Sequence, residues 1–402
     1  MKKVLLTLVL IMSSWGACAQ DQAPQETPQA QPVVQAPTQT PPAASGVSPL
    51  VSEAKQAIII EAATNNVLYA KNADERMPTS SMSKVLTLYL VFDAIKKGKF
   101  DLNTTVTVSE NAWRQTGSRT FMNIGQKVRI EDLIRGVIVQ SGNDASVALA
   151  EAVAGGEGSF AELMNTKAAE LGMTNSHFMN ATGMPDPEHY STARDLATLA
   201  QAMIRDYPEY YHIFSEIDFT FNNIKQGNRN PLLYRNMGAD GIKTGHTDAG
   251  GFGLVASTLR DGRRILVVVN GLSDMQKRAD EPAKLFEWAY REYGLYSFVS
   301  AKDKVGDVRV WLGERTLVPV AAEKDVVLSL PRSMKDSVKA NATLNTETEA
   351  PIHKGQMLGK IVVTGNGIDT VEVPLLATED VARLNVFKAT WAKIKRAIGK
   401  EP

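Results

Sequence analysis

Residues 241–270 read GIKTGHTDAGGFGLVASTLRDGRRILVVVN. Three strand-like runs lie in this stretch: Gly241 to Thr244, Phe252 to Leu259 and Arg264 to Asn270. Asp261-Gly262 joins the last two as a hairpin. Far upstream, Ala57 to Glu61 and Val67 to Lys71 flank Asn65-Asn66, a second hairpin signal. Between the two groups the pattern is helical, at Ser83 to Ile95, Leu133 to Val139, Ala145 to Val153, Phe160 to Leu171 and Thr192 to Ile204. Pro282 to Tyr293 reads as a closing helix. Strands at both ends of a helix-rich middle complete one antiparallel sheet, with helices gathered to one side. Residues 50–296 are therefore expected to form one α+β domain.

Beyond it the pattern changes to short β runs: Val308 to Leu312, Val326 to Leu330, Val338 to Leu344, Gly359 to Val363 and Thr370 to Leu375. Residues 297–378 read as a small all-β domain with no chemical motif.

The ends carry addresses. Lys2 and Lys3, the apolar run Val4 to Met12 and the small-residue site Ala17-Cys18-Ala19 form an export signal over residues 1–19. Residues 20–49 hold 7 Gln and 7 Pro and cannot bury enough apolar surface to order, so they read as a tether. At the other end, within residues 379–402, Leu384, Phe387, Trp391, Ile394 and Ile398 make one helical stripe. The last 20 residues carry a net charge of +5. A basic amphipathic helix of this kind suits the surface of an anionic membrane. A terminal helix docked on its own protein is the alternative.

Composition removes several function classes. Lys+Arg and Asp+Glu both number 44 in 402 residues, and this balance argues against a nucleic-acid binder. The one cysteine, Cys18, rules out a disulfide framework or a cysteine-ligated metal cluster. The five histidines show no H-E-x-x-H spacing, so zinc-peptidase chemistry is not expected.

Three short motifs carry chemistry. Ser81-Met82-Ser83-Lys84 opens a helix, and positions three apart share a face, so Lys84 can reach the Ser81 hydroxyl. A serine becomes a nucleophile when a neighbouring lysine of lowered pKa takes its proton. Ser141-Gly142-Asn143 offers a hydroxyl relay and an amide, although either polar residue would also serve as a helix N-cap. Lys243-Thr244-Gly245 lies on a strand: a cation, a hydroxyl, and a glycine that admits close backbone approach. Ser52-Glu53-Ala54-Lys55 and Ser109-Glu110-Asn111 match the first two patterns by spacing alone.

Together, and in this order, the three motifs resemble those of the serine-type D-Ala-D-Ala carboxypeptidases, the low-molecular-mass penicillin-binding proteins. The likeness extends to residues 243–250, to Leu163-Met164-Asn165 with residues 169–173, to residues 180–186 and to residues 191–196. It implies an antiparallel five-stranded sheet with a helical lobe, then an all-β domain and a C-terminal anchor. It implies that Ser81 is acylated, that Lys84 is its general base, and that Ser141 passes the proton onward. Asn143 would hold the substrate amide, Lys243 would complete the proton network, and Thr244 would meet the terminal carboxylate. The N–H groups of Ser81 and His246 would form the oxyanion hole. Arg229 and Arg278 lie where the family places basic residues near that carboxylate. No cofactor is implied. The substrate would be the peptidoglycan stem pentapeptide, and β-lactams would be covalent inhibitors. The expected site of action is the periplasm, at the surface of the inner membrane.

Three rivals share the motifs: a D,D-endopeptidase cutting cross-links, a class A β-lactamase, and a catalytically weak penicillin-binding scaffold. A lactamase needs a separate glutamate. Its candidate, Glu162 with Asn165, falls inside the carboxypeptidase-like run.

Overall fold

The computed structural model describes residues 46–301, 303–365 and 370–399. The export signal and the tether up to residue 45 lie outside these residues.

Strands β1 (Gln56–Glu61), β2 (Asn66–Lys71), β3 (Ala239–Thr247), β4 (Gly251–Arg260) and β5 (Arg263–Leu272) form one antiparallel sheet in the order β2-β1-β5-β4-β3. Ile58 stands opposite Val268, and Lys243 opposite Val255. The upstream hairpin thus pairs with the last strand of the downstream group. Between them come helices α1 (Lys84–Lys96), α2 (Ile130–Ile138), α3 (Asn143–Ala154), α4 (Glu157–Glu170) and α5 (Ala193–Asp206).

Helices cover both faces of the sheet, not one. Ile58, Ile60, Leu266 and Val268 pack into the core of the helical lobe. Ala57, Ile59, Val267 and Val269 pack on the other face against Phe286 and Trp288 of helix α6 (Met275–Glu292). This explains why every residue of β1 is buried, where a sheet with one wet face would alternate. Helix α6 begins seven residues before Pro282, which lies inside it. A proline suits a first helical turn, so the sequence pattern starts the helix there. The actual start is set by Asp274, whose carboxylate accepts from the Lys277 amide at 2.8 Å.

The chain passes from α6 directly into strand β6 (Tyr293–Val299), which pairs with β9 (Val326–Pro331). A six-stranded sheet follows, in the order β10-β12-β13-β8-β7-β11. Its strands are β7 (Lys304–Trp311), β8 (Leu317–Ala322), β10 (Lys339–Leu344), β11 (Glu347–Glu349), β12 (Met357–Thr364) and β13 (Val371–Ala377). Val308, Val320, Ile361 and Val373 sit in its separate core. The sequence pattern misses β8, because Pro319 inside a run argues against a strand. Helix α7 (Val386–Ala397) closes the described chain and has no buried residue. Among the described residues no helix is long and apolar enough to cross a membrane.

Candidate active site

The first motif lies on a short 3-10 segment, Ser80–Ser83, that runs straight into α1. Three residues per turn eclipse positions three apart, so Ser81 and Lys84 stack. The Lys84 ammonium nitrogen lies 2.8 Å from Ser81 Oγ. Lys84 is fully buried, and burial lowers its pKa to about 7, with the positive charge of Arg229 adding to the effect. A lysine in this state supplies the free amine that a serine proton needs.

The second motif meets it from α3. Gly142 is the N-cap of that helix and makes no side-chain cap bond. Neither Ser141 nor Asn143 is therefore used as a cap. Ser141 has φ +57, in the left-handed region where a serine is uncommon. That turn aims its hydroxyl at Lys243, whose nitrogen donates to Ser141 Oγ at 3.0 Å. Asn143 Oδ1 accepts from Lys84 at 2.6 Å, and its Nδ2 donates to the Thr116 carbonyl at 2.7 Å. Both ends of the Asn143 amide are thus engaged, and its nearest role is to hold the lysine.

The third motif comes from β3. Lys243 is buried, and its pKa is driven well down by burial first and by the charges of Lys84, Arg229 and Arg278 after it. A Cβ at Gly245 would lie 2.9 Å from the Thr79 carbonyl and 3.0 Å from Met82 Cγ. The glycine thus lets the strand lie against the Ser80–Ser83 turn. Thr244 is buried and His246 is exposed at the strand end.

Ser81, Lys84, Ser141, Asn143 and Lys243 therefore meet as two hydrogen-bonded pairs, serine to lysine, with Asn143 on the first lysine. Residues 43–273 match the family described as D-alanyl-D-alanine carboxypeptidase. The chain belongs to the D-alanyl-D-alanine carboxypeptidase family. Residues 293–383 match the C-terminal domain of penicillin-binding protein 5. The D-alanyl-D-alanine carboxypeptidase DacA of Haemophilus influenzae is 37% identical over 352 residues, 86% of this chain and 90% of that relative. The solved penicillin-binding protein 5 of the same organism superposes with a TM-score of 0.76 at 37% identity, covering 84% of this chain and 100% of that one. Penicillin-binding protein D2 of Listeria monocytogenes, solved with ampicillin, is 27% identical with a TM-score of 0.56, over 60% of this chain and 99% of that one.

The two arginines of this carboxypeptidase flank the lysines. Arg229 donates to Ser118 Oγ. Arg278 stands in the first turn of α6, buried, with no partner for its Nε among the described residues. Its guanidinium lies 5.4 Å from the Phe252 ring, and that ring in turn packs on His246 with centroids 3.9 Å apart. Burial lowers the pKa of both arginines, and the charge of Arg229 adds to the effect on Arg278. Such crowded, desolvated cations suit an anionic group entering between them.

Sequence reasoning missed three residues. Phe252 is a platform joining His246 to Arg278. Asp144, next to the second motif, is fully buried and accepts the amides of Thr120 (2.8 Å) and Phe121 (3.0 Å), anchoring the loop that touches Asn143 and Arg229. His189 lies behind the Ser80–Ser83 turn, 2.8 Å from Ser83 Oγ. None of the three carries a motif, and their burial and contacts show only in the structure. The two decoys are structural. Ser52 Oγ accepts the Ala54 amide at 3.2 Å, and Ser109 caps a short helix through the Ala112 amide at 3.0 Å. Glu162 is exposed on α4, while Asn165 is spent on the backbone of Ala161 and Phe178.

Proposed function

We propose that this protein removes the terminal D-alanine from peptidoglycan stem pentapeptides through an acyl-enzyme on Ser81. The observation that carries this reading is the 2.8 Å contact between Ser81 Oγ and a buried lysine whose pKa is lowered to about 7. Ser81 Oγ attacks the carbonyl carbon of the penultimate residue, and its proton passes to Lys84. The peptide C–N bond breaks, and the leaving amine takes a proton through the Ser141 hydroxyl, which Lys243 orients. Water then attacks the ester and gives a proton to Lys84, the C–O bond breaks, and that proton passes to Ser81 Oγ. The amides of Ser81 and His246 hold the oxyanion, which is the largest electrostatic contribution in sites of this kind. Thr244, with Arg229 and Arg278, receives the terminal carboxylate. Asn143 holds Lys84 and faces the substrate amide. A β-lactam enters as a mimic of the peptide and leaves Ser81 acylated.

The same reading places the protein in the periplasm, held to the inner membrane by α7. Phe387 is 89% exposed and Trp391 60% exposed on that helix, with basic residues around them. Exposed aromatics on a basic amphipathic helix support insertion into an anionic interface.

The test is D-alanine release from an acyl-Lys-D-Ala-D-Ala peptide by wild type and Ser81→Ala. Release by the wild type alone is the expected result. Release by both would remove Ser81 from the mechanism, and release by neither would turn attention to cross-linked muropeptides.

A further inference from the structure

Behind Ser81 lies a loop, residues 180–184, built around one side chain. Asn180 Oδ1 accepts from the Gly183 amide (2.8 Å), the Met184 amide (3.1 Å) and the Thr182 hydroxyl (2.9 Å). Thr87 on α1 donates to the Ala181 carbonyl at 2.7 Å. Gly183, at φ +78, faces the Ser80–Ser81 peptide. A Cβ there would overlap the Ser80 carbonyl and come within 3.1 Å of the Ser81 nitrogen. Ser80 itself has φ +49, an arrangement that needs support from its surroundings.

His189 ties this loop to the nucleophile turn. The Met179 amide, at the loop entry, donates to Nδ1 at 3.1 Å. A neutral ring then carries its hydrogen on Nε2 and donates to Ser83 Oγ at 2.8 Å. The Ser83 hydroxyl is left to donate to Thr79 Oγ1 at 2.6 Å. Amide, imidazole and two hydroxyls thus form one chain reaching residues on both sides of Ser81. Burial keeps the ring neutral by lowering its pKa to about 4, against the opposing pull of the Asp186 charge.

We propose that residues 180–184, locked by His189, are a positioning element for the oxyanion hole, fixing the Ser80–Ser81 peptide and so the direction of the Ser81 N–H. This rests on the reading of Ser81 as the acylated nucleophile. The loop presses on the carbonyl side of the peptide whose nitrogen faces the reacting carbonyl. If the loop shifts, the donor turns away while the binding groups on β3 stay in place.

The experiment uses the full chain with His189→Leu, His189→Gln, His189→Asn and Gly183→Ala. Glutamine retains a donor near Nε2, and asparagine retains an acceptor near Nδ1. Stopped-flow with a chromogenic cephalosporin separates non-covalent affinity from the first-order acylation constant. Infrared difference spectra of the penicillin acyl-enzyme read the hydrogen bonding of the ester carbonyl. His189→Leu is expected to slow acylation about 10- to 100-fold, less than the loss of a whole oxyanion donor. Affinity should stay within about twofold, and the carbonyl band should move to higher wavenumber as its hydrogen bonds weaken. Glutamine and asparagine should each recover part of the loss, and Gly183→Ala should act in the same direction. Should Gly183→Ala not fold, the histidine series decides alone. Folded variants with a wild-type acylation constant and an unmoved band would overturn the proposal. So would a loss of thermal stability with an unmoved band, the mark of a merely structural role. A wild type that forms no acyl-enzyme would instead sink the reading of Ser81, and the proposal with it.

Discussion

Lys84 is costly to the fold as an ammonium and useful to the chemistry as an amine. With its pKa near 7, it is protonated below that value and cannot accept the Ser81 proton. The acylation constant should therefore rise with pH through about 7 and fall about tenfold per unit well below it, measured by single-turnover kinetics. Stability carries the same titration. Between about 7 and the ordinary lysine value of 10.5, the unfolded chain holds a proton that the folded one does not. Unfolding then takes up a proton, so stability rises with pH across this window, and the full burial cost is present below it. Urea unfolding should show the wild type gaining on Lys84→Met between pH 6 and pH 9. At this scale the sequence was legible wherever chemistry sits in a short motif. The pairing of Ser81 with Lys84 and of Ser141 with Lys243 could be anticipated because local spacing or motif order groups them. Phe252, Asp144 and His189 could not, since each acts through a partner far along the chain.

Elements decide how closely those residues meet. Strand β3 lies against the Ser80–Ser83 turn because Gly245 has no side chain. Gly245→Ala should force strand and turn apart, at roughly the 1–3 kcal/mol typical of overpacking. Its thermal midpoint should fall, and its labelling by a fluorescent penicillin should slow. Helix α7 presents Val386, Phe387, Trp391 and Ile398 to solvent, each more than half exposed. Burying a large apolar side chain contributes about 1.5–3 kcal/mol. Phe387→Glu and Trp391→Glu should each weaken partition to anionic vesicles about tenfold or more in a sedimentation assay. Unchanged partition would return α7 to the reading of a docked terminal helix. Its period was plain in the sequence because one face is apolar and the other basic. The start of α6 was not, because a proline imitated a helix start and the Asp274 cap is a single residue.

The whole molecule has a catalytic part with cores on both faces of its sheet and a β domain with its own core. Every proposed site residue, from Ser81 to Arg278, belongs to the first part. Contacts between the two include Asn66 Nδ2 to the Ser329 carbonyl, Arg332 to the Tyr290 carbonyl, and the packing of Tyr293 on Trp288. A chain ending at residue 296, which keeps Tyr293 in the catalytic core, should keep penicillin labelling at the wild-type rate. Loss of labelling would make the β domain part of the catalytic fold. The two-part plan was legible from the change in strand density after residue 296. The second helical layer was not, because continuous apolar runs such as residues 265–269 look alike whether one or both faces are covered.

The pairing of β1 with β5 also sets a clock. Val268 follows its partner Ile58 by 210 positions (268 − 58). At roughly 5–20 residues per second, a ribosome needs roughly 10–40 s to supply the second strand after the first. Throughout that time the upstream hairpin holds two of the sheet's five strands and has no neighbour to close it. For a chain whose first residues read as an export signal, this delay keeps the polypeptide threadable. The sheet, and with it the setting of the turn that carries Ser81, is assembled only after residue 272 has been made.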